Sequence, residues 1–115
     1  MADLEIIEQD ENRIKVALLG RLDTEGVDHL EMKFNTTVCA AAKPTVLDFS
    51  KVTFMSSMGI RMLVSAAKIL SRRGAKMVIL SPQNLVRECI QSAALDQLIP
   101  VAFTNEDALR LVSAT

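Results

Sequence analysis

The chain has 115 residues, half of them apolar but only 3% aromatic, with 13 basic against 14 acidic side chains and a formal net charge of −1. So even a balance excludes general electrostatic binding to a phosphate backbone, and hence a nucleic-acid partner. With 23% charged residues, four Gly and three Pro, the chain is neither disordered nor collagen-like; it suits one domain, 1–115, with a core of aliphatic side chains, Ala and Met. In chain order, residues 4–8 and 12–19 read as a hairpin around Gln9-Asp10-Glu11-Asn12, with Ile14, Val16 and Leu18 alternating against Arg13, Lys15 and Ala17. Gly20-Arg21-Leu22-Asp23 ends the second strand, and Asp23 caps a helix running to about Ala42. Pro44 stops that helix, and Thr45–Phe49 forms a short central strand.

A second helix starts at Ser56-Ser57 and runs to Arg73, where Gly74 supplies the left-handed residue that ends it. Lys76–Leu80 is a further strand, and Ser81-Pro82 opens a third helix with Leu85, Val86, Cys89, Ile90 and Ala93 on one side. Leu98–Phe103 reads as an edge strand, because Pro100 donates no ladder bond. Thr104 and Asp107 resemble a capping box before a last helix through Val112. The alternation predicts an α/β fold: a mixed, mostly parallel sheet with an N-terminal hairpin and about four helices packed on it.

No apolar run approaches the roughly 18 residues of a membrane span, and the first residues are acidic, unlike a secretion signal. Cys39 and Cys89 form no C-x-x-C pair, and the expected compartment is the cytoplasm. Catalytic equipment is sparse. His29 has no Cys or second His at ligand spacing and reads as a helix-surface residue, and no phosphate-binding glycine loop or nucleophile-elbow signature is present. Asp48, in an apolar strand, reads either as a functional carboxylate or as an acceptor of backbone N–H groups. The expectation is a non-enzymatic domain with no catalytic residue, metal or cofactor.

The segment Phe54-Met55-Ser56-Ser57-Met58-Gly59-Ile60 leaves a strand and enters a helix. Hydroxyls there sit among free N–H groups at the positive end of the dipole. Ser56 or Ser57 is therefore either a plain N-cap or a phosphorylation site. At about 100° per residue, Leu63, Val64, Ala67 and Leu70 fall within about 80° of Ile60 as a core stripe, and Met58, Met62 and Ile69 fall at about 160–200°. That second apolar stripe, rimmed by Arg61, Lys68, Arg72 and Arg73 with no acidic residue in the helix, is either a docking site or a face covered by another element.

Taken together, Gly20-Arg21-Leu22-Asp23, Val46-Leu47-Asp48-Phe49-Ser50, Val52-Thr53-Phe54-Met55-Ser56-Ser57-Met58-Gly59-Ile60 and Phe103-Thr104-Asn105-Glu106-Asp107-Ala108-Leu109 resemble the STAS family, specifically the stand-alone anti-sigma factor antagonists of bacteria. The resemblance covers essentially the whole chain. It implies a STAS-like domain, a monomer when free, that binds a kinase-type anti-sigma factor and so releases a sigma factor. Phosphorylation of one serine at the start of the second helix ends the binding, and a PP2C-type phosphatase restores it. Against the family pattern Asp-Ser-Ser/Thr-Gly-Leu/Ile, Ser57 matches the phosphorylated serine, Gly59 the glycine and Ile60 the aliphatic residue. Ser56 stands where the family has Asp and is a competing acceptor; Met58 stands where it has a second hydroxyl. Asp23 matches a loop aspartate expected near Ser57. The implied partner surface comprises Asp23, Ser56, Met58, Gly59, Arg61, Met62 and Ile69. The two departures also suit a second reading, a constitutive scaffold or accessory subunit of a transporter or signalling complex that is never phosphorylated. A third is a sensor with an anion or nucleotide at the helix N-terminus.

Overall fold

Four parallel strand segments lie side by side because each is followed by a helix long enough to return the chain to the same end of the sheet. The computed structural model describes residues 2–113. Its elements are β1 (Asp3–Gln9), β2 (Ile14–Leu22), α1 (Thr24–Phe34), β3 (Thr45–Met55), α2 (Ser57–Arg72), β4 (Met77–Leu80), α3 (Asn84–Ser92), β5 (Val101–Ala102) and α4 (Asn105–Ser113). The spatial order of the sheet is β1-β2-β3-β4-β5. β1 is antiparallel to β2, and all other pairs are parallel. The hairpin turns where the Asp10 carboxylate accepts from the Asn12 and Arg13 amides at 2.7 and 3.0 Å.

Alternation along the strands divides the core in two. Leu47, Phe49, Met77 and Ile79 face α1, α2 and α3 with Ile14, Val16 and Leu18 of β2. Val46, Val78, Leu80 and Ala102 face the opposite way, onto Ala108 and Val112 of α4. Among the described residues no buried side-chain polar atom lacks a hydrogen bond.

Several elements differ in extent from the sequence reading. β3 continues six residues past Phe49, since two bulges, between Asp48 and Lys51 and between Val52 and Phe54, keep it in register with β2. The Asp48 carboxylate accepts from the Ser50 amide at 2.9 Å inside the first bulge, the structural one of its two readings. Gly20, at φ +88°, lets β2 run on to Leu22 instead of ending. The first helix ends as a π turn over Asn35–Cys39. Ser81 is not the cap of α3: it takes φ +54°, and the helix starts at Asn84 after Gln83. Leu85 points to solvent at 70% exposure and Ala93 is exposed, so only Val86 and Ile90 of that stripe are fully buried. The last strand shortens to Val101–Ala102, preceded by a 3₁₀ turn at Leu95–Gln97, and stays at the sheet edge as Pro100 requires. Gly74 takes φ +77° after α2, and Thr104 Oγ1 accepts from the Asp107 amide at 3.1 Å, both as expected.

Phe49 is fully buried between β3 and the helices. Phe49→Ala is expected to cost about 3–5 kcal/mol, whereas Leu85→Ala changes stability by less than about 0.5 kcal/mol; urea unfolding of both variants measures the contrast.

Candidate functional site

The carboxyl ends of β2 and β3 meet at one rim, and α1 and α2 both begin there. The Leu22 carbonyl accepts two hydrogen bonds, from the Ser56 amide at 2.9 Å and from Ser56 Oγ at 2.8 Å. Ser56 is the N-cap of α2, with extended backbone, and its Oγ also accepts from the Gly59 amide at 3.4 Å. Gly59 makes the approach possible: a Cβ there would lie 3.1 Å from both the Leu22 carbonyl oxygen and the Leu22 Cβ.

The next residue, Asp23, caps α1 in the same manner: its Oδ1 accepts from the Gly26 amide at 2.8 Å. A side chain at Gly26 would collide with the Arg21 carbonyl oxygen. Asp23 Oδ2 pairs with Arg21 Nε at 3.2 Å, and the Arg21 guanidinium carbon lies 4.5 Å from the centroid of the Phe54 ring. The Gly26 amide first, and Arg21 second, hold the Asp23 carboxyl below the usual carboxylate range. With Glu25, Gly26 and His29, these two side chains line a shallow cleft of about 360 Å³.

The two serines have different surroundings. Ser56 is half-buried, with its hydroxyl both donating and accepting. Ser57 is the first helical residue, exposed, and its hydroxyl has no hydrogen-bond partner among the described residues. Asp23 does not bond it; its carboxylate accepts from the Gly26 amide and Arg21 Nε. Arg61, four residues along α2 and thus on the same side as Ser57, is exposed.

The partner stripe needs correction. Met62 is 2% exposed and belongs to the core. The buried residues of α2 are Gly59, Met62, Leu63, Ala66, Ala67 and Leu70, centred about 90° from Ile60 around the helix. Ile60 and Val64, expected inside, are half-buried margins. The physical reason is Gly59: its contact with Leu22 decides which side of the helix faces the sheet, and helical spacing alone carries no such zero point. Met58 is half-buried against the core, and Ile69 remains exposed at 38%. No continuous Met58-Met62-Ile69 surface exists.

Sequence reasoning missed the receiving role of Leu22 and the Arg21–Phe54 stack. A backbone carbonyl leaves no side-chain signature, and the stack depends on the second bulge in β3, which aligns Arg21 with Phe54. Among the described residues no group of three His, Cys, Asp or Glu side chains could hold a metal ion, and no helix is long and apolar enough to cross a membrane.

Residues 4–108 match the family model described as the STAS domain. BtrV of Bordetella bronchiseptica, provisionally named an anti-sigma factor antagonist, is 26% identical over 91 residues, which are 79% of this chain and 78% of BtrV. The crystal structure of an anti-sigma factor antagonist from Mycobacterium paratuberculosis superposes with a TM-score of 0.81 at 25% identity, over 96% of this chain and 95% of that one. SpoIIAA of Bacillus in its phosphorylated form gives 0.68 at 22% identity, over 95% and 98% of the two chains. Unphosphorylated SpoIIAA gives 0.75 at 19%, over 97% and 98%.

Two measurements check this geometry. Ser56→Ala is expected to cost about 1 kcal/mol in urea unfolding by loss of the cap, and Ser57→Ala less than about 0.5 kcal/mol. Because its carboxyl titrates lower in the folded chain, Asp23 contributes stability that is present above its unfolded pKa and disappears as the pH falls through the folded one. Asp23→Asn is expected to flatten the acid limb of the stability profile, read as urea midpoints between roughly pH 5 and pH 2.

Proposed function

The chain belongs to the STAS domain family, and on that premise we propose that it is an anti-sigma factor antagonist of a partner-switching pathway, controlled by phosphorylation of Ser57. It binds a kinase-type anti-sigma factor, which phosphorylates it; a PP2C-type phosphatase returns it to the binding state. The observation that carries the reading is the division of labour between adjacent serines. Ser56 spends its hydroxyl on the Leu22 carbonyl and the helix cap, while Ser57 offers an exposed hydroxyl without a partner among the described residues.

A phosphate on Ser57 would stand at the positive end of α2, one turn from Arg61, so its charge suits the helix and the domain stays folded. The effect falls on the partner. In a desolvated interface a dianion that the partner does not match with a cation of its own costs several kcal/mol, enough to release the complex. A phosphate on Ser56 would instead remove the Oγ–H that donates to the Leu22 carbonyl and disturb the cap bond that Oγ accepts from the Gly59 amide. The proposed contact surface is Ser57 with Asp23, Met58, Arg61 and Ile69; Ser56 and Gly59 support it from beneath, and Met62 is excluded by burial. The activity is binding, with no cofactor. SpoIIAA, similar in fold, exists in phosphorylated and unphosphorylated forms, and BtrV bears the antagonist name. Ser56 and Met58, in place of an acidic and a hydroxyl residue, favour the second reading, an unphosphorylated scaffold.

The test is incubation with ATP and a kinase-type anti-sigma factor from the same cell, with the phosphate located by peptide mass spectrometry. Phosphate is expected on Ser57 and absent from Ser57→Ala, and Ser57→Asp is expected to weaken binding at least tenfold, about 1.4 kcal/mol. Phosphate on another residue, or full-strength binding by Ser57→Asp, overturns the proposal; binding with no phosphate transfer selects the scaffold.

A further inference from the structure

Charge is divided by position along this chain. Residues 2–11 and α1 are rich in acids, whereas from Phe49 to Arg87 there are cations and no Asp or Glu at all. The division becomes a surface because α1 and α2 pack against each other on the same face of the sheet. Both helices return the chain between parallel strands, so they run in the same direction.

Their outward edges carry opposite charge. On α1, Gly26, Val27, Leu30 and Phe34 are buried, and Glu25, Asp28 and Met32 lie on the opposite meridian, within about 60° of one another, with Glu31 beside them. On α2, Arg61, Lys68 and Arg72 lie within about 40° of one another, directly opposite the buried side. All seven are exposed. None of the six charged ones is in an ion pair among the described residues: the three pairs present are Arg21–Asp23, Lys33–Asp3 and Arg110–Asp107. Met32 is 79% exposed, the most exposed of the large apolar side chains, and Ile69 flanks the cationic line on α2.

An acidic helix beside a parallel basic helix is self-complementary about one two-fold axis. An axis lying between them and along them sets α1 of one copy over α2 of the other, acids on cations and Met32 towards the Ile69 side, at both symmetry-related places. We propose that the α1–α2 face is a self-association surface whose occupant is a second copy of this chain, in contrast to the free monomer the family resemblance implies. Helices of 11 and 16 residues offer a patch of about 20 by 20 Å per copy, roughly 800 Å² in all, below the roughly 1,000 Å² that a stable specific interface clears. The dimer is therefore weak, and its largely electrostatic hold is sensitive to salt. The inference does not depend on phosphorylation of Ser57.

The test is sedimentation velocity of the full chain at high micromolar concentration, in low and in high salt. The wild type is expected to shift towards a dimer with concentration in low salt and to return to the monomer in high salt. Lys68→Glu with Arg72→Glu leaves Arg61 as the one cation of that set, and Asp28→Lys with Glu31→Lys leaves Glu25 as its one acid. Each double variant, shown to be folded by circular dichroism, is expected to self-associate at least tenfold more weakly, and an equimolar mixture of the two to form the heterodimer. A wild type that stays monomeric throughout in low salt overturns the proposal. So do double variants that dimerise as the wild type does, and so does a mixture of folded variants that stays monomeric.

Discussion

The whole rim hangs from the carbonyl of Leu22. By accepting from both the amide and the hydroxyl of Ser56, it ties the end of β2 to the start of α2 across the ladder that already joins β2 to β3. Two hydrogen bonds to one oxygen fix direction as well as distance, and Gly59 permits the closeness they require, since a Cβ would press on that same oxygen. From this anchor follow the rotation of α2, the burial of Met62, and the exposure of Ser57 as the first residue past the cap. Helical propensity plays little part in any of these; a different contact at Gly59 would turn the same sixteen residues to another face.

The two serines illustrate how adjacent, chemically identical side chains acquire different roles. The cap position has extended backbone and directs its oxygen back over the first turn, where it satisfies a donor that the helix cannot. The following position is already helical, and its side chain points outward. The second hydroxyl is exposed and engaged in no bond among the described residues, and the dipole would favour an anion there. The proposed switch would alter what docks and leave the fold as it was.

Around that point the surface is organised by charge more than by hydrophobicity. Two of the exposed large apolar side chains lie under cations: Phe54 beneath Arg21 and Phe103 beneath Arg87, with guanidinium carbons 4.5 and 5.5 Å from the ring centroids; Phe54 shares a groove with Leu85. The outer face of α2 carries a line of cations where a continuous apolar stripe was expected. Long basic side chains on a helix flanked by Ile60, Val64 and Ile69 cover apolar margins while keeping their charge in water, which reconciles an apolar-looking helix with an open surface.

The element order, the hairpin, the edge position of the Pro100 strand, the caps at Asp23 and Thr104 and the break at Gly74 were all legible in the residues, because each rests on backbone chemistry within a few positions. The strand-to-helix junction at Ser56-Ser57 was legible for the same reason. The extent of β3 past Phe49 was not, because bulges arise from pairing with β2, and the orientation of α2 was not, because periodicity gives the spacing of a stripe without its absolute angle. Which serine became the cap, which methionine went inside and which charges came to share a face were decided only when distant segments met. The physical reason is that these depend on contacts such as Leu22 with Ser56, 34 residues apart, whose geometry no local pattern encodes.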